Sequence, residues 1–144
     1  MKLLIDADGC PVVDICIKIC GQYKIECIII CDTAHHFNRE GAVTVTVEKG
    51  ADSVDFKLVN MIAKGDIVVT QDYGLAAMCL ARSATVLNQD GMVYDDSNID
   101  RLLDYRHIGK KIRLAGGRLS GPPKRKPEQN ESFMLRLVDI IDSR

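Results

Sequence analysis

Lys2-Leu3-Leu4-Ile5-Asp6-Ala7-Asp8-Gly9-Cys10-Pro11 opens the chain and decides how the rest is read. Leu3-Leu4-Ile5 is a short unbroken apolar run, the pattern of a strand buried on both faces. Polar residues and a glycine follow, and Pro11 stands where proline suits the first turn of a helix. Val12, Ile15, Cys16, Ile19 and Cys20 then recur at helical spacing, and Gly21 is expected to end that helix. Strand, turn and helix in that order are the opening of an α/β fold.

The alternation continues outward from this unit. Ile25 to Cys31 reads as a second strand, and Val43, Val45 and Val47, interleaved with threonines, as a third. Residues 52–64 read as a helix with Val54, Leu58 and Ile62 on one stripe, and Asp66 to Thr70 as a fourth strand. A helix through Leu75, Met78 and Cys79 leads to a fifth strand at Thr85 to Leu87. Asp90-Gly91 signals a turn before a short strand at Met92 to Tyr94. Helices are expected over 97–108 and 132–142, joined by a basic flexible loop over about 109–130. The expected fold is a three-layer α/β sandwich with a mainly parallel sheet, in one domain over 1–144.

Composition narrows the classes. Hydrophobic content of 47% with 27% charged residues describes an ordinary globular chain, not a disordered one. The apolar runs are too short to span a bilayer, and the N-terminus lacks the apolar core of a signal peptide, so the expected location is the cytoplasm. Five of the 6 cysteines fall in the first 31 residues. They lie inside apolar segments without a C-x-x-C pair, so they read as buried filler, and no zinc is expected. Eight of the 19 basic residues sit between Arg106 and Lys126, a stretch without a single acid. All 20 acidic residues lie elsewhere, so an acidic body carries one basic segment.

In parallel sheets, ligands bind outside the carboxyl ends of the strands. Asp6 and Asp8 leave the first strand there, and Asp72 lies just past the fourth, beside Thr70. Asp52 and Asp55 sit at i and i+3 on the first turn of the helix after the third strand, where helical neighbours lie about 5–6 Å apart at Cβ. Asp66 precedes its strand, at the opposite end, and reads as a turn residue. Like charges about 4 Å apart cost roughly 4 kcal/mol at an effective dielectric near 20, a cost that a bound cation or a shared proton removes. Oxygen donors favour magnesium or manganese. Asp6, Asp8 and Asp72 are the candidate catalytic residues, and Asp6, Asp8, Asp52, Asp55 and Asp72 the candidate metal ligands. Asp52 is equally suited to capping its helix. Thr70, Asn88, Lys49, Lys124, Arg125 and Lys126 are candidates for substrate contact. His35 and His36 read as solvated loop residues rather than ligands.

Asp6-Ala-Asp8-Gly9-Cys10-Pro11-Val12, Gly50-Ala51-Asp52-Ser53-Val54-Asp55 and Gly65-Asp66-Ile67-Val68-Val69-Thr70-Gln71-Asp72, with Leu87-Asn88, Asp90-Gly91 and Gly121-Pro122, resemble the YaiI/YqxD family of bacterial proteins over nearly the whole chain. That family looks like a relative of PIN-like and NYN-like domains, often metal-dependent ribonucleases. The resemblance implies an aspartate after the first strand (Asp6 or Asp8), an acid on a middle helix (Asp52 or Asp55) and an aspartate in a T-x-D context (Thr70, Asp72). The basic segment is not a hallmark of PIN-like domains.

Three functions follow. The first is a magnesium- or manganese-dependent nuclease on RNA, with the basic segment on the phosphate backbone. Aromatic content of only 5% without tryptophan argues against base readout by stacking. The second is a phosphatase, because Asp6-Ala-Asp8-Gly9 resembles the D-x-D-G opening of haloacid-dehalogenase enzymes, with Asp6 as nucleophile. Its partner signature should follow a strand, whereas Gly65-Asp66 opens one. The third is a module that binds RNA or a ribosome without chemistry.

Overall fold

The computed structural model describes residues 1–32, 38–50, 53–117 and 123–144. Six strands form one sheet: β1 (Lys2–Asp6), β2 (Glu26–Asp32), β3 (Val43–Val47), β4 (Ile67–Val69), β5 (Thr85–Leu87) and β6 (Val93–Tyr94). They lie in the order β3-β2-β1-β4-β5-β6. The first five are parallel and β6 runs antiparallel to β5. Five helices complete the fold: α1 (Val13–Tyr23), α2 (Ser53–Met61), α3 (Tyr73–Ala81), α4 (Ile99–Leu114) and α5 (Pro127–Asp142). The expected mainly parallel α/β sandwich is the architecture found.

Side chains alternate across a strand, so each central strand feeds two cores. Leu3 and Ile5 of β1, Cys27, Ile29 and Cys31 of β2, and Ile67 and Val69 of β4 meet α1 and α5 on one face. Leu4, Ile28, Ile30 and Val68 meet α2, α3 and the start of α4 on the other. This double burial explains why these strands read as continuous apolar runs rather than alternating ones. Cys16, Cys20, Cys27, Cys31 and Cys79 are buried among these cores, and Cys10 is half-buried. Burial pushes the Cys79 thiol up to about 12, which makes it an inert packing group.

Several boundaries differ from the sequence reading; α2 stops at Met61 rather than at 64, and β2 runs on to Asp32. Gly21 does not end α1; the chain continues to Tyr23, and Lys24 makes the left-handed turn (φ 57°) and donates its N–H to the Cys20 carbonyl. α4 passes Ile108 and ends at Leu114, because Gly109 is buried within the helix and needs no side chain there. α5 begins at Pro127, not near Ser132, with proline in the first turn and Gln129 Oε1 accepting from the Lys126 N–H at 2.7 Å. The expected basic loop therefore gives up both its ends to helices, and residues 118–122 of it lie outside the described residues.

The Arg125 guanidinium clamps α5 to the β5–β6 turn. It donates to Asp90 Oδ1 (2.7 Å), the Gln89 carbonyl (2.6 Å) and Asn130 Oδ1 (2.8 Å). Gly91 (φ +88°) completes the fit, since a Cβ there would stand 2.9 Å from the Ser132 carbonyl oxygen. Beyond the clamp, Phe133, Leu137 and Ile141 carry the buried face of α5. Phe133→Ala should lower the unfolding free energy by about 3–5 kcal/mol, measured by urea denaturation with an unchanged m-value.

Candidate functional site

The strand order reverses direction between β1 and β4: β2 and β3 lie to one side, β5 and β6 to the other. The crevice at the carboxyl ends of such a pair is where open α/β sheets bind ligands. Here it is a cleft of about 650 Å³ lined by Asp6, Asp8, Asp32, Asp55, Asp72 and Arg106, with Gly9, Gly50, Val54, Gln71 and Tyr73.

Parallel register builds its floor. Ile5 pairs with Val69, so the next residues, Asp6 and Thr70, leave the sheet side by side. Thr70, only 1% exposed, donates its hydroxyl to Asp6 Oδ2 at 2.8 Å, and Thr70 Oγ1 itself accepts the Asp72 N–H at 3.0 Å. Asp72 caps α3, its Oδ1 accepting from the N–H groups of Gly74 (2.9 Å) and Leu75 (3.1 Å). Arg106 of α4 reaches the same Oδ1 at 3.1 Å. The Tyr94 hydroxyl donates to the Thr70 carbonyl at 3.1 Å, and its ring meets Tyr73 edge-on at 6.1 Å. Gln71 Nε2 donates to the Gly9 carbonyl at 2.9 Å, tying the loop after β1 to the loop after β4. Gly9 itself turns at φ +72°, a conformation glycine adopts without strain.

Charge accumulates in this cleft. Burial pushes the Asp6 carboxyl up to about 6, against the Thr70 hydrogen bond, and Asp55, Asp72 and Asp8 push it further the same way. The five lining carboxylates face one lining cation, Arg106, among the described residues.

The cleft thus gathers Asp6, Asp8, Asp55 and Asp72 from the set marked in the sequence. Asp52, His35 and His36 lie outside the described residues. Asp66 stands at the far edge, paired with the Lys2 ammonium and accepting the backbone N–H of Lys2. Thr70 is buried and acts through Asp6 and Asp72 rather than through the cleft surface. Asn88 Oδ1 holds the β5–β6 turn, accepting from the N–H groups of Asp90 and Met92 at 2.9 Å each. Lys49, Lys124 and Lys126 are exposed but do not line the cleft, and Arg125 is committed to its clamp. Two lining residues were missed. Asp32 ends β2 as Asp6 ends β1, and the same strand-end rule finds it once β2 is carried one residue past Cys31. Arg106 carries no such signal; it arrives because α4 docks beside α3.

The donor chemistry suits a hard divalent cation, since the lining side chains offer carboxylate oxygens and neither thiol nor imidazole. Among the described residues, no group of three or more His, Cys, Asp or Glu side chains is already spaced to grip a single ion. A cation would therefore draw the carboxylates inward, or complete its shell with water as magnesium commonly does.

The molecule is thus an α/β protein with an acidic cleft at its strand switch point. It belongs to the YaiI/YqxD family, whose model, described as an uncharacterized BCR family, matches residues 4–143. Relatives called UPF0178 protein share 55% identity with it in Exiguobacterium sibiricum, over 92% of this chain and 91% of that one, and 55% in Ruminiclostridium cellulolyticum, over 98% and 92%. The crystal structure of Rae1 (YacP) from Bacillus subtilis aligns over 100% of both chains with 14% identity and a TM-score of 0.48, a likeness too distant to carry an argument. No helix among the described residues is long and apolar enough to cross a membrane.

The raised Asp6 carboxyl has a definite sign. In the unfolded chain it ionises near 3.8, in the fold near 6, so folding stability falls as pH rises between those values and the full penalty applies above them. Asp6→Asn should stabilise the metal-free protein by roughly 1–3 kcal/mol at pH 7.5, with the gain vanishing toward pH 4, as read from denaturant melts across pH.

Proposed function

We propose that the cleft hydrolyses phosphodiester bonds in RNA with the help of magnesium or manganese. The observation that carries this reading is the convergence of Asp6, Asp8, Asp55 and Asp72 at one strand switch point. The T-x-D context of Thr70 and Asp72, and its resemblance to PIN-like nucleases, support it. Asp6, Asp8, Asp55 and Asp72 would hold the cation, with Asp32 beside them and Asp52, which precedes α2 in the sequence, a further candidate. A divalent cation so held supplies an activated water and neutralises charge on a phosphoryl oxygen.

The chain's own groups do the rest. Thr70 fixes the Asp6 carboxylate on one side and the Asp72 backbone on the other. The two α3 amides and Arg106 hold Asp72 in one orientation. The Asp6 carboxyl, pushed up to about 6 by burial and its acidic neighbours, would be drawn into its charged form by a bound cation, so metal binding there should release protons near neutral pH. Arg106, 56% exposed, offers its guanidinium to a phosphate oxygen at the cleft mouth.

The phosphatase reading loses support from the place of Asp66. Held by Lys2 at the amino ends of the strands, it lies across the sheet from Asp6. The binding-module reading predicts the same cleft without turnover.

Single-stranded RNA should be cut in a manganese- or magnesium-dependent reaction, and Asp72→Asn should slow it about 100-fold or more, some 3 kcal/mol of barrier. Manganese should also raise the melting temperature of the wild-type protein, and this rise should shrink in Asp72→Asn. Turnover of p-nitrophenyl phosphate that disappears in Asp6→Asn would favour the phosphatase instead. Salt-sensitive RNA binding with no cleavage of any RNA under either metal would leave the module.

A further inference from the structure

We propose that the exposed row Arg106, Lys110 and Arg113 of α4 is a phosphate track along which an RNA strand reaches the acidic cleft. The proposal rests on the cleft reading above for its substrate and adds the surface that holds the strand. The three residues stand at i, i+4 and i+7, which places them on one side of the helix. Arg106 fixes where that side points, because its guanidinium lies 3.1 Å from Asp72 Oδ1 in the cleft. The row therefore begins at the cleft and leads away from it. From Arg106 to Arg113 it covers about 10 Å of helix, the length of some three stacked nucleotides at about 3.4 Å each.

Helix electrostatics alone do not account for this row. The negative end of a helix favours cations in its last turn, where Lys111 and Arg113 sit. That effect fades within about a turn and does not explain Arg106 or Lys110. Nor does packing explain it: between Asp104 and Leu114 the helix buries only Gly109 and its other residues are exposed.

The chemistry selects the occupant. No acidic residue occurs between Tyr105 and Pro127, so two copies of α4 laid side by side in parallel would set cation against cation. A polyanion matches the row instead. Tyr105 (75% exposed), Ile108 (55%) and Ile112 (39%) form a second exposed stripe on another side of α4, roughly a third of the way round the helix from the basic row. Arg106 has a double part in this arrangement: it balances Asp72 before a strand arrives and meets the first phosphate when one does.

The test is the affinity for a labelled single-stranded RNA of about 12 nucleotides, followed by fluorescence anisotropy in EDTA so that no cleavage contributes. Lys110→Gln/Arg113→Gln should weaken binding about tenfold and flatten the slope of log K against log salt by about 1.4. The control Lys18→Gln/Lys24→Gln removes two exposed charges from α1 and its C-terminal turn, on the opposite face of the sheet, and should bind close to wild type. Equal affinity in the α4 variant and wild type overturns the track, as does equal weakening in the control, or a wild type that binds no RNA at low salt. A change in sedimentation of the α4 variant without a change in RNA affinity makes the row a self-association surface and also overturns the track. The two readings separate cleanly. Weakened binding by the α4 variant with no cleavage by wild type keeps the track and removes the nuclease. Metal-dependent cleavage with unaltered affinity does the reverse.

Discussion

The hydroxyl of Thr70 is the joint on which the cleft depends. It is buried between β1 and β4, donates to Asp6 and accepts from the Asp72 amide. One side chain thereby sets the spacing of two carboxylates that would otherwise repel each other. The arrangement works only because β1 and β4 are parallel neighbours in register, Ile5 against Val69. A slip of either strand by one residue would turn its side chain to the other face of the sheet and part the pair. The apolar cores on the two faces hold that register, since Leu4 and Val68 must face one helix layer while Ile5 and Val69 face the other.

From this joint the electrostatics of the molecule follow. The switch in strand order opens a crevice, and strand ends and helix starts fill it with carboxylates from β1, β2, α2 and the cap of α3. Burial and crowding show in Asp6, whose carboxyl is pushed up to about 6. A charge arrangement that opposes folding persists when something outside the folding balance favours it, and strain of this kind gathers at functional sites. The opposite charge is not spread evenly over the surface. It collects on α4, whose first turns pack, whose Arg106 lines the acidic cleft and whose last turns carry further basic residues.

How far the sequence was legible varies with the residue. Asp6, Asp8 and Asp72 could be placed because they follow recognisable buried strands, and strand ends in parallel sheets share one edge. Asp66 could be set aside by the same rule, and its partner Lys2 at the start of β1 gives the reason it is tolerated there. Asp32 was legible in principle and lost by a boundary error of one residue at the end of β2. Arg125 stood in a basic run like its neighbours, yet it differs from them completely, because three acceptors on two separated segments surround it. Nothing local distinguishes an arginine that clamps a turn from one that meets a phosphate.

By itself, the sequence determined the alternation of strands and helices, the parallel sheet and the edge at which the acids gather. These are set by the period of apolar residues and by short-range turn chemistry, both written locally. Only the tertiary structure decided which acids share a cleft, that Thr70 joins two of them, and that Arg106 crosses from a distant helix to balance Asp72. Those contacts join residues 64 and 34 positions apart. Their partners are chosen by the order of strands and the docking of α4, which depend on the packing of the whole chain.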